Sequence, residues 1–216
     1  MNGVLMNIGR FAKFYRWCEY AAFGRTLERS RFAYLDRLSR ARRVLLLGEG
    51  DGRALARLLA VAPQARIDVV ELSGRMIELA RRRVAASPRV HFTQQDALTM
   101  SWPDHHYDAV VTFFFLDCFS EPEAGKLIHS LAPSLIQNGL WLLSEFAIPE
   151  SGWRKWHAAI WLWTMYRFFA LLTGLRTRQL PAIPNLLREA GLDQLESKDE
   201  RWGLIKSEVW GKKTSN

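Results

Sequence analysis

Val44-Leu45-Leu46-Leu47-Gly48-Glu49-Gly50-Asp51-Gly52-Arg53 is the stretch from which the rest of the chain is read. Four apolar residues run straight into three glycines at alternate positions, and Arg53-Ala54-Leu55-Ala56-Arg57-Leu58-Leu59 resumes with helical spacing. A buried strand that breaks into a glycine turn and restarts as a helix is the nucleotide-binding corner of a doubly wound α/β fold. Glycine is needed there because the backbone turns sharply and must approach a ligand more closely than a Cβ allows.

Outward from this corner the chain alternates. Pro63 ends the first helix, and Ile67-Asp68-Val69-Val70-Glu71-Leu72 reads as a second strand. Ser73 resembles an N-cap for a helix through Met76 and Ala80. Pro88 stops that helix, Val90 to Gln94 alternates as a short third strand ending at Asp96, and Asp104 to His106 are turn-like. Tyr107 through Phe115 is β-branched and aromatic, as expected for a fully buried fourth strand. Glu121 to Ile136 reads as a helix closed by Asn138-Gly139, with Leu140 to Phe146 as strand five. Strands that are apolar throughout, alternating with helices, predict a parallel sheet covered on both faces. Pro181 to Ala190 is a further short helix ending at Gly191, and Leu192 to Arg201 with Gly203 to Gly211 forms a terminal antiparallel hairpin.

Two segments stand outside this rhythm. Residues 1–40 are expected to form an N-terminal helical cap, because Phe11, Phe14, Tyr15, Trp17, Cys18, Ala21 and Ala22 recur at intervals of three and four before a break at Gly24. It packs on the sheet edge or closes over a small-molecule site. Residues 149–180 hold an aromatic helical insertion that includes Trp153, Trp156, Trp161, Trp163, Tyr166, Phe168 and Phe169. Its apolar part is marginal for a membrane span and Arg167 interrupts it, so a span is rejected.

Composition agrees with one domain over residues 1–216, large enough to bury a core without staples. Two cysteines, Cys18 and Cys118, make neither a disulfide framework nor a metal-ligand pattern, so no metal is expected. A reducing, cytoplasmic compartment is the expectation. The net charge of +8 comes largely from scattered arginines, which read as solvated helix faces. No helix-turn-helix, zinc finger or RNA-binding aromatic signature accompanies them, so nucleic acid is not the expected partner.

A glycine corner followed by a carboxylate about 20 residues on suits a dinucleotide or S-adenosylmethionine, since in either case the carboxylate accepts from ribose hydroxyls. The dinucleotide pattern G-x-G-x-x-G wants glycine where Arg53 stands. The chain closes with an antiparallel hairpin rather than further parallel units, and Asp96 stands where a carboxylate accepts from an adenine amino group. With these features the chain resembles a class I S-adenosylmethionine-dependent methyltransferase of the small bacterial, small-molecule type. The motifs are Gly48-Glu49-Gly50-Asp51-Gly52, Val70-Glu71-Leu72-Ser73 with Met76, Gln95-Asp96-Ala97, Tyr107-Asp108-Ala109-Val110-Val111, and Leu186 to Leu192 before the hairpin. The resemblance implies a Rossmann-like, doubly wound seven-stranded sheet with S-adenosylmethionine as cofactor. It places Gly48, Glu49, Gly50 and Gly52 at the methionine and ribose end of the cofactor. Glu71 falls on the ribose diol, Leu72 and Met76 on adenine, Asp96 and Ala97 on its edge, and Phe113 at the end of strand four. The family commonly carries an acidic residue two positions before the first glycine, where this chain has Leu46. Glu49 and Asp51 are the replacements on offer for its role towards the methionyl ammonium.

Methyl transfer from an activated sulfonium is an in-line displacement that needs alignment and exclusion of water, with a base only where the nucleophile must lose a proton. Asp117, just past strand four, is the expected residue for orienting or deprotonating the acceptor, against a plainer role trimming the next helix. Glu145 at the end of strand five and His157 in the insertion complete the catalytic candidates. The insertion implies a small acceptor that is flat or lipophilic. Its basic flanks Arg154, Lys155, Arg176 and Arg178 admit peripheral contact with the inner membrane. The insertion serves equally as a lid or a dimer face, so monomer and homodimer both stay open. The competing functions are a non-catalytic cofactor-binding or assembly protein of the same fold and an NAD-dependent oxidoreductase.

Overall fold

In the computed structural model, the described residues are 25–147 and 180–212. The expectations for 8–24 and for the aromatic stretch Trp153–Leu175 with His157 lie outside them. The chain builds one seven-stranded sheet in the order β3-β2-β1-β4-β5-β7-β6. Its strands are β1 (Arg43–Leu47), β2 (Arg66–Glu71), β3 (Val90–Gln94), β4 (Tyr107–Phe113), β5 (Leu135–Phe146), β6 (Leu192–Glu200) and β7 (Ile205–Lys212). The first five run parallel, while β7 is antiparallel to β5 and to β6. The helices are α1 (Thr26–Phe32), α2 (Arg53–Val61), α3 (Gly74–Arg83), α4 (Glu121–Leu131) and α5 (Ile183–Glu189).

The continuous apolar runs follow from burial on both faces. Along β1, Val44 and Leu46 pack into the layer that holds Leu55 and Leu58 of α2 and Ala80 of α3. Leu45 and Leu47 face the opposite layer, with Leu127, Ile128 and Leu131 of α4 and Leu187 of α5. Each such side chain contributes about 1.5–3 kcal/mol when fully buried. The two largest wholly buried side chains keep their indole N–H groups satisfied. Trp141 Nε1–H donates to Thr112 Oγ1 at 3.0 Å and Trp210 Nε1–H to Glu208 Oε2 at 2.9 Å.

Helix α1 is tied to the sheet by hydroxyls rather than by apolar contact alone. Ser144 Oγ and Ser207 Oγ both donate to the Ser30 carbonyl, at 2.9 and 3.0 Å, and all three serines are buried. That anchor sets the helix beside the C-terminal end of β5 and the N-terminal end of β7.

Two boundaries depart from the sequence reading. The helix expected to reach Ile136 stops at Leu131, because Pro133 cannot continue it, and a short 3-10 turn (Ala132–Ser134) leads directly into β5. Asn138 and Gly139 therefore lie inside β5, where Asn138 has φ +63° and the pairing register with β4 shifts. The Asn-Gly pair is a strand irregularity and not a helix terminus. Strand four also ends two residues early, at Phe113, because Phe114 has φ +52° and breaks the extended conformation.

Candidate functional site

The strand order reverses between β1 and β4, so a crevice opens at the carboxyl ends of these strands, where ligands bind in open α/β sheets. The glycine turn forms its floor. Gly48, Gly50 and Gly52 have φ of +63°, +68° and +88°, all in the left-handed region. Their surroundings differ. A Cβ on Gly48 would collide with the Phe115 ring, and one on Gly52 would come within 2.7 Å of the Ala80 Cα in α3. A Cβ on Gly50 would meet nothing within 4 Å. Gly48 and Gly52 thus serve close packing, whereas Gly50 borders open space in the crevice.

On the β2 side, Glu71 reaches back to the turn. Its Oε2 accepts from Gly50 N–H at 3.2 Å and its Oε1 from Ser73 N–H at 2.9 Å. A carboxylate has about four acceptor positions, so two remain for a ligand's hydroxyls. Leu72 is 43% exposed, one of two large apolar residues left so open among the described residues. Ser73 caps α3 through Met76 N–H, as its sequence position implies, and Met76 lies half-buried in the first turn. Beyond β3, Asp96 Oδ1 accepts from Leu98 N–H at 3.0 Å and opens a 3-10 turn that buries Ala97. These residues leave an open apolar face, spare acceptor positions and a cradle without a Cβ, a combination that fits a nucleoside ligand. Phe113, by contrast, is buried in the core layer of α2 and α3.

The two acidic residues of the turn are used differently. Asp51 pairs with Arg53 Nε at 3.0 Å and with Arg83 Nη2 at 3.1 Å, fastening the turn to α3. Glu49 folds over the first turn of α2, where its Oε1 accepts from Leu55 N–H at 3.0 Å. Burial pushes its carboxyl up to about 7, against the pull of that N–H and of Arg31 from α1.

On the β4 and β5 side, Asp117 and Glu145 are both buried and interact with one another. Glu145 Oε1 accepts from Phe115 N–H at 3.3 Å and Leu116 N–H at 3.0 Å, while its buried Oε2 has no hydrogen-bond partner. Burial raises the Asp117 carboxyl to about 6, and burial followed by the Asp117 charge holds Glu145 well above the ordinary range. Two adjacent buried carboxyls share a proton because ionising both is too costly. Burial in the crevice, then Asp117 and Glu145, push the Cys118 thiol well above its usual value, although the residue keeps an exposed edge. This opposes thiolate chemistry.

Sequence reasoning missed three parts of this arrangement. Phe115 lies over Gly48, Arg31 stacks 5.1 Å from the centre of the Phe114 ring while acting on Glu49, and Arg83 holds the turn from 32 residues away. All are tertiary contacts; only the run Phe113-Phe114-Phe115 carried a signal.

Residues 44–139 match the family described as a methyltransferase domain. The demethylmenaquinone methyltransferase of Thermus thermophilus is 33% identical over 135 residues, 61% of this chain and 60% of that one. The enzyme of the same name from Clavibacter sepedonicus is 34% identical over 109 residues, 50% of this chain and 42% of its own length. The chain thus spans about half the length of the curated relatives it matches. Among solved structures, a Burkholderia thailandensis 1,6-didemethyltoxoflavin-N1-methyltransferase with bound S-adenosylhomocysteine superposes with a TM-score of 0.67 at 16% identity, over 97% of this chain and 88% of that one. The segment that matches the methyltransferase-domain family holds the glycine turn and strands β1 to β4, and the sheet order is the fold of a structure solved with S-adenosylhomocysteine bound.

Proposed function

We propose that the protein transfers a methyl group from S-adenosylmethionine, by in-line displacement, to a small aromatic or lipophilic acceptor. The observation that carries this reading is the switch-point crevice with the Gly50 and Glu71 contact on one side and the buried Asp117 and Glu145 carboxyls on the other. Glu71 holds the ribose diol, Leu72 and Met76 flank adenine, and Asp96 with the Ala97 backbone meets its edge. When bound, the cofactor supplies a methyl group already activated on a sulfonium.

The chain's own residues then position the acceptor. Glu145 accepts the Phe115 and Leu116 N–H groups and so fixes the loop that carries Asp117. Asp117, raised to about 6, is ionised at neutral pH and takes a proton from an acidic hydroxyl or carbon acid. The names of the two curated relatives support a quinone-like acceptor, as does the tryptophan-rich stretch Trp153–Leu175. An acceptor of that kind is collected from a bilayer, which agrees with the basic residues Arg154, Lys155, Arg176 and Arg178 flanking the stretch.

Calorimetry with S-adenosylhomocysteine tests the cofactor half of the reading: saturable binding is expected, and no heat at high micromolar ligand would refute it. Glu71→Ala should weaken that binding by about 1–3 kcal/mol through loss of charge-assisted hydrogen bonds. Incubating the protein and isotopically labelled cofactor with demethylated naphthoquinols tests the acceptor half. Binding without turnover on any acceptor would favour a non-catalytic role.

A further inference from the structure

The adenosine end of the crevice accounts for Glu71, Leu72 and Asp96, which all lie on the β2 and β3 side of the glycine turn. The cofactor's amino-acid end would then be held by residues on the other side of Gly50, beside which the structure leaves open space. That end is a zwitterion, and a carboxylate is the strongest partner for its ammonium. In many proteins of this fold the residue two before the first glycine would supply one, but here it is Leu46, only 1% exposed and packed against α2.

The carboxylates on that side of the crevice can be taken in turn. Asp51 is engaged by two arginines, Arg53 and Arg83, and fastens the turn to α3. Glu145 is sealed in the protein with one oxygen on two backbone N–H groups, and Asp117, in the loop after β4, is the group that serves the acceptor. Glu49 remains. It is half-buried just past β1, and its carboxyl sits on the first turn of α2, the helix whose Leu55 and Leu58 pack in the same layer as Leu46. Resting on this methyltransferase reading, we infer that Glu49 is the carboxylate that receives the α-ammonium of the cofactor, its position in the turn having been exchanged with the missing acid at Leu46.

Glu49 is a binding and positioning residue under this assignment. Four groups face it: Arg31 from α1, Asp51 from the turn, and the Ala54 and Leu55 N–H groups from α2. Arg31 and the two N–H groups favour the ionised form, whereas burial and Asp51 oppose it. Since its carboxyl titrates at about 7 in the free protein, ammonium binding draws a proton off it and affinity rises with pH across that value. Arg31, which acts on Glu49, is itself held against the Phe114 ring.

The test compares S-adenosylhomocysteine with 5′-methylthioadenosine, which keeps the nucleoside and thioether but lacks the amino-acid head. Calorimetry on the wild type and on Glu49→Gln gives four affinities. Glutamine retains an acceptor for Leu55 N–H, so the cap on α2 is kept. The expected result is a loss of about tenfold or more for S-adenosylhomocysteine. Methylthioadenosine affinity should change by less than about twofold, within the error of an unperturbed site. Wild-type affinity for S-adenosylhomocysteine should climb between about pH 6 and about pH 8, and that climb should be absent in Glu49→Gln. Equal losses for both ligands would make Glu49 a structural cap only and overturn the inference. So would unchanged affinities for both. If wild-type protein binds neither ligand, the methyltransferase reading falls and takes this inference with it; binding that is indifferent to Glu49 leaves that reading intact.

Discussion

At the scale of single residues, the glycine turn separates conformational need from space. All three glycines have φ between +63° and +88°, so an alanine at any of them meets left-handed strain of about 1–2 kcal/mol. At Gly52 the added Cβ also drives into the α3 backbone at Ala80, which cannot swing aside as a side-chain tip can. Gly52→Ala should therefore lower stability by about 2–4 kcal/mol in urea titration. Gly50→Ala should cost only the strain, about 1–2 kcal/mol, yet lose most S-adenosylhomocysteine affinity, because its methyl enters the open crevice. Equal stability losses at the two positions would contradict this division. Asp117 gives a second residue-level prediction. Its carboxyl is raised from an ordinary 3.8 to about 6, so the folded chain holds the proton more tightly than the unfolded one. The stability it contributes is complete below about pH 4 and is lost as pH rises through about 6. Relative to Asp117→Asn, the wild type should lose on the order of 1–3 kcal/mol across that interval, measured by urea midpoints at several pH values. A flat difference would mean the carboxyl is not held by burial.

At the scale of elements, what was legible and what was not divide by the range of the interaction responsible. The strand, turn and helix of Val44–Leu59 and the Ser73 cap depend on residues within one or two turns of each other, and the structure has them where the sequence implies. The terminal hairpin was legible for the same reason. Asn138-Gly139 was misread because a helix terminus and an irregular strand both favour a left-handed residue there. Pro133, five residues earlier, carried the deciding information. In the candidate site, Asp117 and Glu145 were picked individually from strand ends, but their mutual burial depends on β4 pairing with β5 and could not be read locally. The same holds for Arg89, an unremarked arginine before β3. Its guanidinium donates to the Leu59, Ala62 and Ala65 carbonyls, at 3.0, 3.0 and 3.5 Å, and so closes the C-terminal end of α2 against β3. Orphan carbonyls at a helix end gain both hydrogen bonds and a favourable charge from such a cation. Arg89→Ala should destabilise the protein by about 1–3 kcal/mol, with Arg89→Lys recovering only part, since an ammonium cannot span three carbonyls in one plane. Thermal denaturation of the three proteins would decide it, and a neutral alanine variant would refute the capping role.

At the scale of the whole molecule, the crevice is bounded by segments that belong to different parts of the sheet. The glycine turn follows β1, Glu71 ends β2 with Leu72 just beyond it, Asp96 follows β3, and Asp117 follows β4. A ligand that touches all of them links strands on both sides of the switch point, and its binding energy is then available only to the folded chain. Ligand at about 100 times its dissociation constant stabilises a one-site protein by about 2.7 kcal/mol. For a chain of this length each kcal/mol moves the midpoint by about 2–4 °C, so saturating S-adenosylhomocysteine should raise Tm by roughly 5–10 °C. Glu71→Ala should shrink that shift at fixed ligand while leaving the ligand-free midpoint near the wild-type value, because its two backbone contacts lie at the crevice rim. The same measurement separates the cofactor classes that a glycine turn first admits. With Arg53 opening α2 where a dinucleotide site needs glycine, NADH should produce no shift at equal concentration. A shift with NADH and none with S-adenosylhomocysteine would reverse the assignment of the cofactor and, with it, the reading of the crevice.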